Sequence, residues 1–312
     1  MTETPRPPQL RIATRRSRLA LWQAGHVKSR LEALYPGLRV ELLALSTSGD
    51  ELVDASLANA GGKGLFVKEL ETALAEGRAE LAVHSMKDVP AGLPGGFALA
   101  AITAREDPRD CLVSADFDDL SALPAGSVVG TSSLRRQAQV ATRYPALEIR
   151  PLRGNVETRL DKLDRGDYAA IVLAAAGLKR LGLAGRIRSY LSVEESLPAA
   201  GQGALGIECL AAQVDLMKLL GVLNDKDASS CVRAEREVNR SLGGNCAIPL
   251  GAFAEIIGAT LRLRALVSSP DGKRVARAEG EGEVSAPEAL GLRVAGLLRE
   301  RGAEEIISAL AS

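Results

Sequence analysis

The run SVVGTSSLRRQAQVATRYPALEIRPLRGNVETRLDKLDRGDYAAIVLAAA, residues 127–176, decides the architecture. SVVG (Ser127–Gly130) reads as a short apolar strand, and a helix starts at Leu134 after three hydroxyl residues. LEIRPL (Leu147–Leu152) is the next strand, Val156–Leu163 the next helix, and AAIVLAAA (Ala169–Ala176) a third strand. Strands and helices that alternate in this way predict an α/β domain with a largely parallel sheet.

Upstream the same alternation recurs. LRIAT from Leu10 is a strand, and Arg18–Tyr35 carries Leu19, Trp22, Val27, Leu31 and Leu34 at helical spacing until Pro36-Gly37 stops it. RVELLAL (Arg39–Leu45) is a strand, Leu65–Ala75 a helix, and ELAVHS (Glu80–Ser85) a strand. Between them lies Ser46–Gly64, a long stretch rich in small residues, which predicts a functional loop. The polar run from Ala104 to Asp110 separates two α/β halves, and LPAAGQGALGIEC (Leu197–Cys209) returns the chain to a sheet. After Asn224 come a polar helix (Ala228–Leu242), a GGNC turn, three strand-like runs and a helix from Pro287 to Arg301, which predict a separate α+β domain.

Composition removes several function classes. Aromatic residues are 3% of the chain, too few for stacked-base or sugar-platform recognition. With 39 basic and 39 acidic residues the net charge is zero, so nothing in bulk electrostatics points to nucleic acid or an anionic membrane. MTETPRPPQL has no apolar core and no run approaches membrane-spanning length, so the expected location is the cytoplasm. Four cysteines without a CxxC pair, and two histidines, argue against zinc. Only nine of the basic residues are lysine, leaving 30 arginines, the side chains that pair with carboxylates in bidentate geometry.

In an open α/β sheet, ligands bind beyond the carboxyl ends of strands. Two strand exits carry hydroxyls and cations: His84-Ser85-Met86-Lys87-Asp88, and Thr131-Ser132-Ser133-Leu134-Arg135-Arg136. Arg11 and Arg15 flank the first strand, and Arg153 and Arg159 follow LEIRPL. Ser133 also suits plain N-capping. Asp88, among cations, serves either in a salt bridge or as a carboxylate that stabilises a positive charge developing in a reaction. Lys63 sits in GGKG, but no GxxxxGK[ST] pattern accompanies it, so a nucleoside triphosphate is not supported. Cys246, between glycines and Pro249, occupies a tight loop and is either an incidental thiol or a reactive one, whereas Cys111, Cys209 and Cys231 read as core fillers.

LRIATRRS, GGKGLFVKELE, LAVHSMKDVP, REDPRD, VGTSSLRRQAQ, LRGNVETRL, LAAAGLKRLGL, LPAAGQGALGIEC and GGNCAIPLGA, in this order, closely resemble the porphobilinogen deaminase (hydroxymethylbilane synthase) family. The resemblance implies two periplasmic-binding-protein-like (type II) α/β domains, residues 1–104 with 201–222 and 105–200, plus a C-terminal α+β domain, 223–312. It implies a monomer, without metal, that joins four porphobilinogens head to tail, releases ammonia at each step and hydrolyses off hydroxymethylbilane. Its cofactor is a dipyrromethane attached covalently through Cys246. On the family's pattern Ser85, Lys87, Thr131, Ser132, Ser133, Arg135, Arg136, Arg153 and Gly203 bind the cofactor, and Arg11, Arg15, Lys63, Arg153 and Arg159 the substrate. Asp88 is the catalytic residue. Asn245, Arg18 and Asn59 depart from the family's usual glycine, proline and lysine. A non-catalytic anion-binding protein would share the cleft but leaves the third domain and its loop cysteine without a purpose, and a DNA-binding regulator would need a basic face.

Overall fold

The computed structural model describes residues 9–47, 67–243 and 248–310. Over these residues the chain divides into two compact units, the first through Arg105 plus Ala204–Ser229, the second Glu106–Gly203 plus Ser230 onward.

In the first unit, β1 (Gln9–Arg15) pairs in parallel with β2 (Arg39–Leu45) and β3 (Leu81–Ser85). The strand β10 (Leu205–Leu210) runs antiparallel between β3 and β4 (Phe97–Ile102), giving the order β2-β1-β3-β10-β4. The helix α1 (Arg18–Leu34) starts where the Ser17 hydroxyl accepts the Ala20 N–H at 3.3 Å. It turns Ala20, Gln23, Ala24, Val27 and Leu31 inward, the stripe expected of 3.6-residue periodicity. On the opposite face α2 (Lys68–Ala75) buries Leu70, Ala73 and Leu74 against Ala13 and Ala82. The loop expected at Ser46–Gly64 and the first residues of the helix expected from Leu65 lie outside the described residues, apart from the loop's first two residues.

The second unit repeats the plan. The strands β6 (Val128–Gly130), β7 (Glu148–Arg150) and β8 (Ala170–Ala174) are parallel. The strand β5 (Asp110–Val113) lies antiparallel between β8 and the edge strand β9 (Ser189–Tyr190), so the order is β7-β6-β8-β5-β9. Both sheets therefore have a parallel trio, an antiparallel strand and an edge strand, the arrangement of type II periplasmic-binding-protein-like domains. The helices α3 (Leu134–Arg143) and α4 (Val156–Asp164) begin at Ser133 and Asn155, whose side chains accept the N–H of Arg136 and Thr158. The apolar run AAIVLAAA is not one strand. It breaks after Ala174, and its last alanines, good helix formers, open α5 (Ala175–Arg180).

The helices α6 (Val214–Gly221) and α7 (Lys226–Ser241) lead to a three-stranded antiparallel sheet, β11 (Leu250–Ile257), β12 (Thr260–Ser268) and β13 (Val275–Glu283). One face of that sheet packs on Val238, Leu290, Val294, Leu298 and Ile306 from α7, α8 (Pro287–Glu300) and α9 (Ala303–Ser308). From Ser230 onward this portion groups with the second α/β sheet in one unit, whereas α6 and the first residues of α7 belong to the first unit.

Candidate active site

Parallel pairing puts the last residues of β1 and β3 at one edge of the first sheet. Ala13 lies opposite Ala82, so Arg15 and Ser85 close their strands at the same end. A 3₁₀ turn, Met86–Asp88, follows. Met86 is buried and its N–H donates to the Ala204 carbonyl at 3.0 Å, which pins the turn while Lys87 and Asp88 stay half-buried. The Ser85 hydroxyl accepts Gln23 Nε2 at 2.8 Å. Among the described residues Asp88 has no hydrogen-bond or ion-pair partner, so the salt-bridge alternative finds no support here. Behind the turn, His84 Nε2 lies 2.8 Å from Glu208 Oε2 in the core.

Arg11 is not brought to this edge. It belongs to the first half of β1, and its guanidinium donates to Glu80 Oε1 at 2.7 Å and to the Gly77 carbonyl at 2.8 Å, beside the start of β3. Hydrogen bonding and the charge of Glu80 raise its pKa further above the ordinary arginine value.

In the second unit the exit of β6 holds Thr131, Ser132 and Ser133. The Thr131 N–H donates to the Arg150 carbonyl, Ser132 Oγ to the Leu152 carbonyl at 2.8 Å, and the Thr131 hydroxyl accepts the Ser133 N–H at 3.2 Å. Ser133 therefore does cap its helix, and the N-terminus of α3 with its free N–H groups sits at the strand exit. Arg153 follows β7, and Arg159, one turn into α4, donates through Nε to the Gly154 carbonyl at 2.8 Å; both are half-buried.

Arg135 and Arg136 are each 5% exposed, and their guanidiniums close on one carboxylate, Asp110, at 2.7 and 2.8 Å. Burial alone would raise the Asp110 pKa; the charges of Arg135 and Arg136 outweigh it and hold the carboxyl far below the usual range. Burial lowers the pKa of Arg135 against the opposing pull of Asp110.

One cation went unread in the sequence. Arg180 ends α5, directly after β8, so the placement rule that singled out Arg153 and Arg159 would have found it had the apolar run been divided at Ala174. Its Nη2 donates to the Gly203 carbonyl at 2.6 Å, and burial depresses its pKa to about 10, which leaves it charged at neutral pH. Gly203 needs its residue type: its φ is +94°. Lys63, Asn59, Asn245 and Cys246 lie outside the described residues. Cys111, Cys209 and Cys231 are buried, and burial pushes the Cys111 and Cys209 thiols up to about 12 and about 11.

In each of the two type II α/β sheets the strand exits present arginine or lysine beside hydroxyls, the donor chemistry of a protein that binds small polyanions. Two family models match this chain in succession: "Porphobilinogen deaminase, dipyromethane cofactor binding domain" over residues 10–218, and "Porphobilinogen deaminase, C-terminal domain" over 229–300. The porphobilinogen deaminase of Paraburkholderia phytofirmans is 58% identical over 309 residues, covering 98% of this chain and 90% of that one. That of Chromobacterium violaceum is 58% identical over 299 residues, covering 96% and 97%. Among solved structures, the methionine-binding protein MetQ aligns at 14% identity and a TM-score of 0.45, over 70% of this chain and 90% of that one. The chain belongs to the porphobilinogen deaminase family. It is a transferase, and dipyrromethane is its cofactor.

Proposed function

We propose that this chain joins four porphobilinogen molecules head to tail on a dipyrromethane held covalently by Cys246, releases ammonia at each addition, and hydrolyses off linear hydroxymethylbilane. The observation that carries the reading is Asp88, a half-buried carboxylate without a described partner, on a pinned turn at the sheet edge shared by Arg15, Ser85 and Lys87. Each pyrrole of substrate and cofactor bears an acetate and a propionate, so the donor set of arginines, lysine and hydroxyls suits this group chemically. When bound, the dipyrromethane supplies the carbon nucleophile to which porphobilinogen is joined.

Lys87, Ser85, Thr131, Ser132, Arg153 and Gly203 would hold the cofactor, together with Ser133, Arg135 and Arg136. Arg15, Lys63, Arg153 and Arg159 would hold incoming substrate, and Arg180 joins them on the strength of its charge and position. Arg11, committed to Glu80, has the weakest case in this set. Asp88 stabilises the positive charge that develops on porphobilinogen as ammonia leaves, as an ionised carboxylate does most effectively where water is partly excluded. We further take the chain to be a cytoplasmic monomer of three domains, without nucleic-acid or membrane partners.

Intact-mass measurement tests the reading. The wild-type protein is expected to exceed its sequence mass by two porphobilinogens less two ammonias, and Cys246→Ala to have the sequence mass and no turnover. Because the thiolate is the reactive form, buried Cys111 and Cys209 are expected to resist alkylation at pH 8 in the folded protein. An adduct mapped to either, or a Cys246→Ala protein with wild-type turnover, overturns the proposal. Arg180→Gln is expected to raise KM for porphobilinogen about tenfold, the value of one charge-assisted contact, with kcat changed less; steady-state kinetics decide it.

A further inference from the structure

Asp110 is fully buried at the start of β5, and no part of the activity described above uses it. Its Oδ2 accepts Arg135 Nη1 at 2.7 Å and the Ser196 hydroxyl at 2.7 Å. Its Oδ1 accepts Arg136 Nε at 2.9 Å and Gln202 Nε2 at 2.9 Å. The guanidiniums reach further. Arg135 Nη1 also donates to the Leu197 carbonyl at 2.6 Å, and Arg136 Nη1 to the Val172 carbonyl at 3.2 Å. Gln202 adds a bond from Nε2 to the Pro108 carbonyl at 2.7 Å. One carboxylate thus ties the first turn of α3, which directly follows the Thr131–Ser133 hydroxyls, to the start of β5, to Val172 in β8 and to the segment 196–202 leading to Gly203.

Among the described residues the charge count is uneven: two buried guanidiniums share one buried carboxylate. A fold retains an uncompensated buried charge at a cost unless something else answers it. Most terminal N–H groups of the pair are already committed within the protein, so the planes of both guanidiniums are set before any ligand arrives.

We propose that Asp110 is a positioning residue for the transfer reaction: by taking two adjacent guanidiniums at once it fixes their orientation and leaves the pair one net positive charge for the carboxylates of bound pyrroles. This rests on the proposed function above. Asp110 touches no ligand itself; its effect passes through Arg135, Arg136 and the hydroxyl loop they anchor.

The test uses the cofactor-loaded full chain with porphobilinogen, comparing Asp110→Asn and Ser196→Ala with wild type in melting temperature, intact mass, kcat and KM. Asp110→Asn keeps the shape and loses the charge; kcat/KM per loaded molecule is expected to fall about 100-fold, the scale of an ångström-level misplacement. Ser196→Ala removes one charge-assisted hydrogen bond and leaves the Asp110 carboxylate to Arg135, Arg136 and Gln202, with Oδ2 held, among the described residues, by Arg135 alone. It is expected to raise KM about tenfold with wild-type mass and a melting temperature lower by only a few degrees. Wild-type KM and kcat in Ser196→Ala, or in the loaded fraction of Asp110→Asn, overturn the inference and leave Asp110 a structural charge. If Asp110→Asn does not fold, Ser196→Ala decides. A wild-type chain with no adduct and no porphobilinogen consumption overturns the functional reading and this inference with it, and is recognised before any variant is compared.

Discussion

Asp88→Ala is expected to lower kcat by about 10²–10³-fold, the usual size of a single electrostatic contribution to a transition state, while the protein keeps its fold and its covalent adduct. The stability half of this expectation follows from where the side chain sits. The turn Met86–Asp88 is held by the buried Met86 side chain and by its N–H on the Ala204 carbonyl, not by Asp88, which has no described partner. Removing a half-exposed carboxylate that has no partner among the described residues changes stability by roughly 0.5 kcal/mol or less. The kinetic half follows from charge. On the proposed role, losing ammonia leaves a cation on the pyrrole that a carboxylate fixed on a rigid turn would stabilise without having to reorganise. Asp88→Asn separates charge from shape: it is expected to be nearly as slow as alanine, whereas Asp88→Glu, which retains the charge on a longer arm, recovers part of the rate. Single-turnover kinetics with intact-mass detection of stalled adducts measures all three. An asparagine variant within threefold of wild-type kcat would remove Asp88 from the chemistry.

How much of this could be read from the sequence depended on how far apart the interacting residues lie. Strand exits were legible because each is local: ELAVHS followed by a lysine and an aspartate, or SVVG followed by three hydroxyls, needs only the period of the strand and the start of the next helix. The order of strands inside each sheet was not, since β10 inserts between β3 and β4 from over 100 residues away. Arg11 looked equivalent to Arg15 because both flank one strand. What separates them is Glu80, 69 residues on, which holds Arg11 near the start of β3 while Arg15 closes β1 at the opposite end. Asp110 read as the last residue of a polar boundary, yet it is the most densely bonded carboxylate of the second sheet, and its partners Arg135, Arg136, Ser196 and Gln202 lie 25 to 92 residues further along the chain. Arg180 was hidden for a local reason: an unbroken apolar run carries no mark of where strand gives way to helix.

The second large effect is on stability, at Glu235 of α7. Its side chain is fully buried; Oε2 accepts the Gly201 N–H and Oε1 the Ala254 N–H, both at 2.7 Å. Hydrogen bonds to a charged acceptor contribute about 1.5–3 kcal/mol each, and a buried N–H left without a partner costs a further desolvation penalty. Glu235→Leu is therefore expected to destabilise the fold by about 3–5 kcal/mol, and Glu235→Gln by somewhat less, because its amide NH₂ must face one of the two N–H donors. Glu237, two residues on, is the internal control. It is also mostly buried, but its partner is the exposed Arg240, at 2.7 Å, with Ser241 beside it. An ion pair with one arm in water is worth about 0–1 kcal/mol, so Glu237→Gln is expected to shift the melting temperature only slightly. Thermal melts of the three variants measure the contrast, and equal shifts for Glu235→Gln and Glu237→Gln would contradict it. The same contact is expected to bear on adduct formation. Gly201 belongs to the segment that Gln202 and the Leu197 carbonyl tie to the Asp110 cluster, and α7 ends five residues before Cys246. A Glu235→Gln protein that still folds at low temperature is accordingly expected to lose adduct formation before it loses its secondary structure, which intact mass and circular dichroism on one sample can show.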